Sequence, residues 1–250
     1  MNTSKHLLTL VALLAAGLAG AQAQTISLWN FNSNPADGSA STGTTAPALG
    51  LGTASLIGGV TGAFGSGDAN GGSSDPFTSS PTDDSGWQTT GYAAPTGANK
   101  STGVQFSVST LGYTDIKLSF DVRHSNTSSR YERVQYSLDG INFIDSVGFT
   151  GAAGDTWFNN RSVDLTGIAG VANNANFAFR IVSEWESTAT GSGANAFLAS
   201  NPSSSYATSG TWRFDMVTVS GVMVPEPTAL SVAGLGLAML LFRQRVVARR

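Results

Sequence analysis

The sequence predicts an all-β fold, an antiparallel β-sandwich, on three observations. Apolar and polar residues alternate with period two in several stretches between residues 26 and 219. The same region has no run with the three-to-four-residue apolar spacing of an amphipathic helix. Asp139-Gly140 separates two of the alternating runs, and both residue types tolerate the positive φ of a two-residue hairpin turn.

Taken in order, Ile26, Leu28, Trp29 and Phe31 mark a first strand. Residues 33–100 are rich in Gly, Ser, Thr and Asn, with short apolar pieces such as 54–60, which predicts long loops and short edge strands. Val104, Phe106 and Val108 alternate with Gln105, Ser107 and Ser109. Ile116, Leu118, Phe120 and Val122 then alternate with Lys117, Ser119, Asp121 and Arg123, the pattern of a half-buried antiparallel strand. Val134, Tyr136 and Leu138 lead through Asp139-Gly140 to Ile141, Phe143 and Ile144; Phe177, Phe179 and Ile181 form a further strand, and 212–219 the last. At least six strands without intervening helices predict two packed sheets. Phe106, Phe120, Val122, Tyr136, Phe179 and Phe214 are the expected core.

Composition closes several routes to function. Charged residues are 12% of the chain, and there are two His and no Cys. Without thiols there is no disulfide framework, thiolate metal centre or cysteine nucleophile. All sixteen carboxylates lie between residues 37 and 226 with only eight Lys and Arg, so the body is acidic. It lacks the basic patch that a phosphate backbone requires, and nucleic acid is excluded as a partner.

The two ends read as addresses. Lys5, the apolar run 7–18 and Ala21-Gln22-Ala23 form the three parts of a secretory signal peptide, residues 1–23, with signal peptidase cutting before Gln24. At the other end Val224-Pro225-Glu226-Pro227-Thr228 precedes the uncharged residues 228–242 and then Arg243, Arg245, Arg249 and Arg250. Fifteen helical residues reach about 22 Å, a short transmembrane helix that arginine snorkelling extends. The arginines hold the cytoplasmic side and leave the acidic body across the membrane. Pro225 and Pro227 keep the preceding backbone extended and open to an enzyme.

Residues 223–250 resemble the PEP-CTERM sorting signal of Gram-negative bacteria, with Pro-Glu-Pro, apolar helix and Arg-rich end in order at the extreme C-terminus. The resemblance implies processing by an exosortase near Pro225-Glu226-Pro227. It also implies an inner-membrane-tethered precursor, and delivery to the cell surface or to an exopolysaccharide and biofilm matrix. The body, residues 24–222, resembles the jelly-roll domains of secreted bacterial proteins related to carbohydrate-binding modules. That likeness rests on 106–112, 136–143, 179–181 and 212–221. It implies a structural calcium in some relatives, with Asp215 as its ligand here. The periodicity places Asp215 on one face with Val217 and Val219, which favours a buried, hydrogen-bonded carboxylate instead. Asp68-Ala-Asn70 opens like a calcium loop, but Gly72 and Ser79 do not continue it. No catalytic cofactor is expected.

Catalytic patterns are sparse. His6 leaves with the signal peptide, His124 sits at a strand end, and no Gly-x-Ser-x-Gly elbow is present. Glu184-Trp185-Glu186 would place two carboxylates on one face about 7 Å apart if the strand continued, within glycosidase range. Trp87 and Tyr92, in the low-complexity stretch, are the candidate sugar-stacking aromatics. The leading expectation is a non-catalytic structural or adhesive protein. A glycan-binding module is the alternative, and a glycoside hydrolase a distant one.

Overall fold

The computed structural model describes residues 22–76 and 83–224, and these build twelve strands. Seven form one antiparallel sheet: β1 (Ala23–Trp29), β2 (Leu49–Gly50), β4 (Thr61–Ser66), β5 (Ser85–Thr90), β7 (Tyr113–His124), β10 (Thr156–Asp164) and β12 (Trp212–Met223). The other five form the second sheet: β3 (Thr53–Ile57), β6 (Gly103–Ser107), β8 (Tyr131–Ser137), β9 (Phe143–Thr150) and β11 (Ala178–Glu184). Its order is β3-β6-β11-β8-β9. One short helix, α1 (Glu186–Thr190), follows β11.

β12 organises the first sheet. β7 runs along its whole length on one side, while its other side pairs with β5 at Trp212–Phe214 and with β1 from Val217 to Val222. The exchange of partners falls at a bulge between Asp215 and Thr218, where Met216 has φ 48°. The extra residue reverses the alternation. Trp212, Phe214, Val217 and Val219 are all buried in the core, whereas Asp215 faces outward beside Asp121. The parity expected for Asp215 is thereby corrected: period two does not survive the bulge.

The core lies between the sheets. Trp29 meets Phe106 edge-on at 5.1 Å, Phe120 meets Phe149 at 5.8 Å, and Phe106 stacks on Phe179 at 5.0 Å. The expected core residues are buried except Tyr136, which is half-buried against the same cluster. Each fully buried large apolar side chain contributes about 1.5–3 kcal/mol.

The hairpin signal at Asp139-Gly140 marks a real turn, though a longer one than two residues. Ser137 pairs with Phe143, so 138–142 make the connection. Gly140 has φ 75°, and the Asp139 carboxylate accepts the Ile141 and Asn142 N–H groups at 2.9 and 2.7 Å. These bonds hold the Asp139 carboxyl far below the usual carboxylate range. Residues 33–100 also depart from expectation at one point. β2, β3 and β4 are short and peripheral, but β5 is buried between β4 and β12.

Ala21 and the rest of the expected signal peptide through residue 21 lie outside the described residues. So do Pro225, Glu226, Pro227, Thr228 and the arginines Arg243, Arg245, Arg249 and Arg250. Ala23 begins β1 opposite Val222, and the Val224 N–H donates to the Gly112 carbonyl at 2.8 Å. Among the described residues no helix is long and apolar enough to cross a membrane.

Candidate functional site

The predicted stacking aromatics belong to the core. Trp87 and Tyr92 are each 4% exposed. Trp87 stacks on Phe31 at 5.5 Å, and Tyr92 packs 4.9 Å from Trp212 with its hydroxyl 2.6 Å from Thr89 Oγ1. Burial pushes the Tyr92 phenol well above its ordinary value. Neither ring can meet a sugar. The low-complexity sequence around them hid a strand, β5, whose only bulky inward residue is Trp87.

The catalytic candidates are occupied or apart. His124 is fully buried, with Nδ1 2.9 Å from the Ser129 carbonyl and Nε2 2.8 Å from Glu132 Oε1. β11 ends at Glu184 and α1 begins at Glu186, so the two carboxylates do not share a strand face. Glu184 is fully buried, held by Arg133 Nε and Nη2 at 3.0 Å each and by Lys100 at 3.2 Å. Glu186 turns back to accept the Ala194 N–H at 3.0 Å.

The outward face of the five-stranded sheet carries a polar row that sequence reading missed. The register aligns Ser55, Gln105, Arg180, Gln135 and Asp145, one from each strand. Arg180 Nε donates to Gln105 Oε1 at 2.8 Å, and Gln135 Nε2 donates to Asp145 Oδ1 at 2.8 Å. The Arg180 guanidinium lies 3.6 Å over the half-buried Phe143 ring. Lys100 links Asp145 to Glu184. Burial raises the Asp145 pKa, but Gln135 and Lys100 outweigh it and the carboxyl stays below its ordinary value. The neighbouring row, Thr53, Ser107, Ala178 and Ser137, has small side chains. Beside it lies a shallow depression of about 290 Å³ lined by Thr53, Ser107, Ser109, Asp139, Gly140 and Asn176.

A second cluster sits on the outward face of the seven-stranded sheet. One carboxylate oxygen each from Asp75, Asp84 and Asp215 lie within 4.8 Å of one another. Asp215 and Asp84 are 0% and 1% exposed, and Asp215 Oδ2 and Asp84 Oδ1 have no hydrogen-bond partner. Asp215 Oδ1 accepts the Met216 N–H at 2.7 Å, and Asp75 Oδ2 accepts from Asn32 at 3.0 Å. Gly67 packs so closely that a Cβ there would stand 2.0 Å from Asp84 Oδ1. Burial, then the charges of Asp75 and Asp68, pushes the Asp84 pKa up to about 7. Burial and the Asp84 and Asp75 charges raise Asp215 well above the carboxylate range. Oxygen donors alone, with two orphaned oxygens, fit a hard divalent cation better than a transition metal. The sequence named Asp215; Asp75 and Asp84 are brought to it only by the fold.

No protein-family model matches the sequence, and no curated protein matches it significantly. Solved structures do. The CBM22-1 xylan-binding domain from Paenibacillus barcinonensis is 10% identical with TM-score 0.43, over 83% of this chain and 100% of that one. The CBM22-1–CBM22-2 tandem from the same organism is 9% identical with TM-score 0.44, over 83% of this chain and 52% of that one. A family 11 carbohydrate-binding module from Clostridium thermocellum, solved with a mixed-linked tetrasaccharide, is 14% identical with TM-score 0.35, over 70% and 91%. The chain spans 26% of a further match, the CBM22-1–GH10 modules of a Clostridium thermocellum xylanase.

Proposed function

We propose that this chain is an exported, non-catalytic β-sandwich of the cell surface or exopolysaccharide matrix that binds a neutral polysaccharide on the outward face of its five-stranded sheet. The row Ser55–Gln105–Arg180–Gln135–Asp145 carries this reading. Arg180 held by Gln105, and Gln135 held by Asp145, are pre-organised donors and acceptors for successive sugar hydroxyls. Phe143 adds an aromatic surface at the edge of the row, and the small side chains beside it leave room for a chain to lie flat. An acidic body disfavours polyanionic sugars.

Delivery follows from the ends of the sequence. Signal peptidase cuts after Ala23, and an exosortase recognises residues 223–250. β12 ends at Met223, so the sandwich overlaps only the first residues of the segment read as the sorting signal.

Affinity electrophoresis of the exported protein through gels containing neutral polysaccharides tests the ligand reading. Retardation by at least one polymer is expected, and Arg180→Ala should lose about tenfold or more in affinity while its circular dichroism is unchanged. Free migration through a broad neutral panel overturns the glycan reading and leaves a purely structural role.

A further inference from the structure

We infer that Leu51, Leu111, Ile141 and Met223 form an apolar end-face by which the sandwich rests on the surface of a lipid bilayer. The inference deepens the membrane-tether reading of residues 223–250 and rests on it.

Apolar surface is left uncovered mainly at one pole. Eight large apolar side chains are exposed among the described residues, and five of them, Leu51, Leu111, Ile141, Met223 and Val224, gather at one end of the sandwich. Leu51 and Ile141 are the most open, at 87% and 76%. Apolar residues scattered singly over a surface are ordinary, but a gathering of them marks a contact. The register brings them together. Met223 pairs with Tyr113, and the Val224 N–H donates to the Gly112 carbonyl, next to Leu111. Leu51, Ile26, Ser109 and Tyr113 line one shallow depression of about 400 Å³. Ser109 also borders the depression at the Asp139-Gly140 turn, which carries Ile141.

Pinned backbone keeps these side chains out of the core. Gly50, at φ 77°, turns the chain just before Leu51, where a Cβ would stand 1.9 Å from the Ile26 carbonyl oxygen. Ser27 Oγ donates to the Leu51 carbonyl at 2.6 Å, and Gly52 lies against the Trp29 ring. The Asp139 carboxylate fixes the Ile141 N–H at 2.9 Å.

The length of chain beyond Val224 selects the occupant. From Val224 to Thr228 is four residues, a reach of at most about 14 Å. The headgroup layer takes about 5–8 Å of that. With the uncharged run 228–242 in the hydrocarbon, this end of the sandwich must lie against the membrane. The run reaches about 22 Å as a helix, short of a 30 Å hydrocarbon core, and the mismatch draws the end-face inward. Asp115 and Asp139 also lie at this end, and Lys117 there is paired with Asp164. Zwitterionic lipid therefore suits the face better than anionic lipid.

The chain has no Cys, so single-cysteine fluorescent labels report one position each. The precursor, with 228–242 intact, is reconstituted in phosphatidylcholine vesicles carrying nitroxide on the headgroup or on the acyl chain. Labels at Leu51→Cys, Leu111→Cys and Ile141→Cys should be quenched by headgroup nitroxide at least about twofold more than one at Ser203→Cys, on the opposite end, since an apolar face enters the headgroup boundary. A label at Leu235→Cys should be quenched by acyl-chain nitroxide. Adding Leu51→Ser and Ile141→Ser should bring the Leu111→Cys label down to the Ser203→Cys level. The single labels carry the test should that variant fail to fold. Quenching at Leu235→Cys with the three end-face labels no different from Ser203→Cys overturns the inference and leaves the tether standing. Absence of quenching at Leu235→Cys fails the tether reading and the inference with it. End-face labels shielded from aqueous iodide but not quenched by lipid would assign the surface to a second copy of the chain, which also overturns it.

Discussion

Trp212 and His124 are direct cross-strand partners, and both donate to a single acceptor, the Ser129 carbonyl, at 3.0 and 2.9 Å. The same histidine reaches Glu132 Oε1 through Nε2, and Arg161 closes onto that oxygen while also donating to the Thr150 carbonyl. The network joins β7, β10 and β12 of one sheet to β8 and β9 of the other inside an otherwise apolar core.

Glu132→Gln should therefore be among the more damaging polar substitutions. Removing one partner of a buried ion pair costs about 3–5 kcal/mol. Burial raises the Glu132 pKa, but the Arg161 charge and the His124 bond outweigh it and leave the group below its ordinary value. A depressed carboxylate contributes stability that is present above its unfolded pKa and lost as pH falls through the folded value. Urea midpoints from pH 7 down to 2.5 should fall below about pH 4.5 in wild type, and less steeply in Glu132→Gln. Parallel acid limbs would show that Glu132 is not ionised in the fold.

Phe106→Ala should cost about 3–5 kcal/mol by urea denaturation. Its ring contacts Trp29, Trp87 and Phe179, so the cavity would open where the two sheets meet. A loss under 1 kcal/mol would contradict the packing.

Trp87→Ala and Arg180→Ala should separate two roles. The tryptophan substitution should lower the unfolding midpoint strongly, because the ring is core. The arginine substitution should weaken polysaccharide retention with little change in midpoint. Interchanged effects would move the ligand surface to the β5 region.

Polysaccharide binding should be insensitive to salt. Raising NaCl from 50 to 500 mM should change affinity less than threefold, since neutral sugar hydroxyls carry no net charge for Arg180 or Asp145 to attract. A steep decline would indicate a charged ligand.

Glu226→Ala, or deletion of 243–250, should leave an uncleaved, membrane-associated precursor whose sandwich folds normally. Mass spectrometry of surface and matrix fractions should find no peptide beyond the 225–228 region in the wild type. Recovery of intact 228–250 on the surface protein would indicate an ordinary membrane anchor.

Strands that bury one face were legible because their alternation is uninterrupted, as at Ile116, Leu118, Phe120 and Val122. β5 was not, since Ser85, Gly86 and Thr89 bury without apolar bulk. The face taken by Asp215 was misread because one residue at φ 48° resets the count. Its partners were invisible for another reason: Asp75 and Asp84 are 140 and 131 positions away, and only the fold makes them neighbours. The polar row was hidden similarly, each strand contributing one unremarkable residue.

The placement of β12 sets how the body would answer a pull. Its C-terminal half is hydrogen-bonded on both sides, to β7 and to β1, and it runs to Met223, where the segment proposed for sorting begins. Tension applied at Val224 along the strand must slide it past two neighbours at once, breaking many backbone bonds together. Peeling a β-hairpin from an edge would break them one at a time. If the chain is held at that end and loaded at the proposed sugar face, it should resist shear strongly, and single-molecule force spectroscopy would read that as a high rupture force.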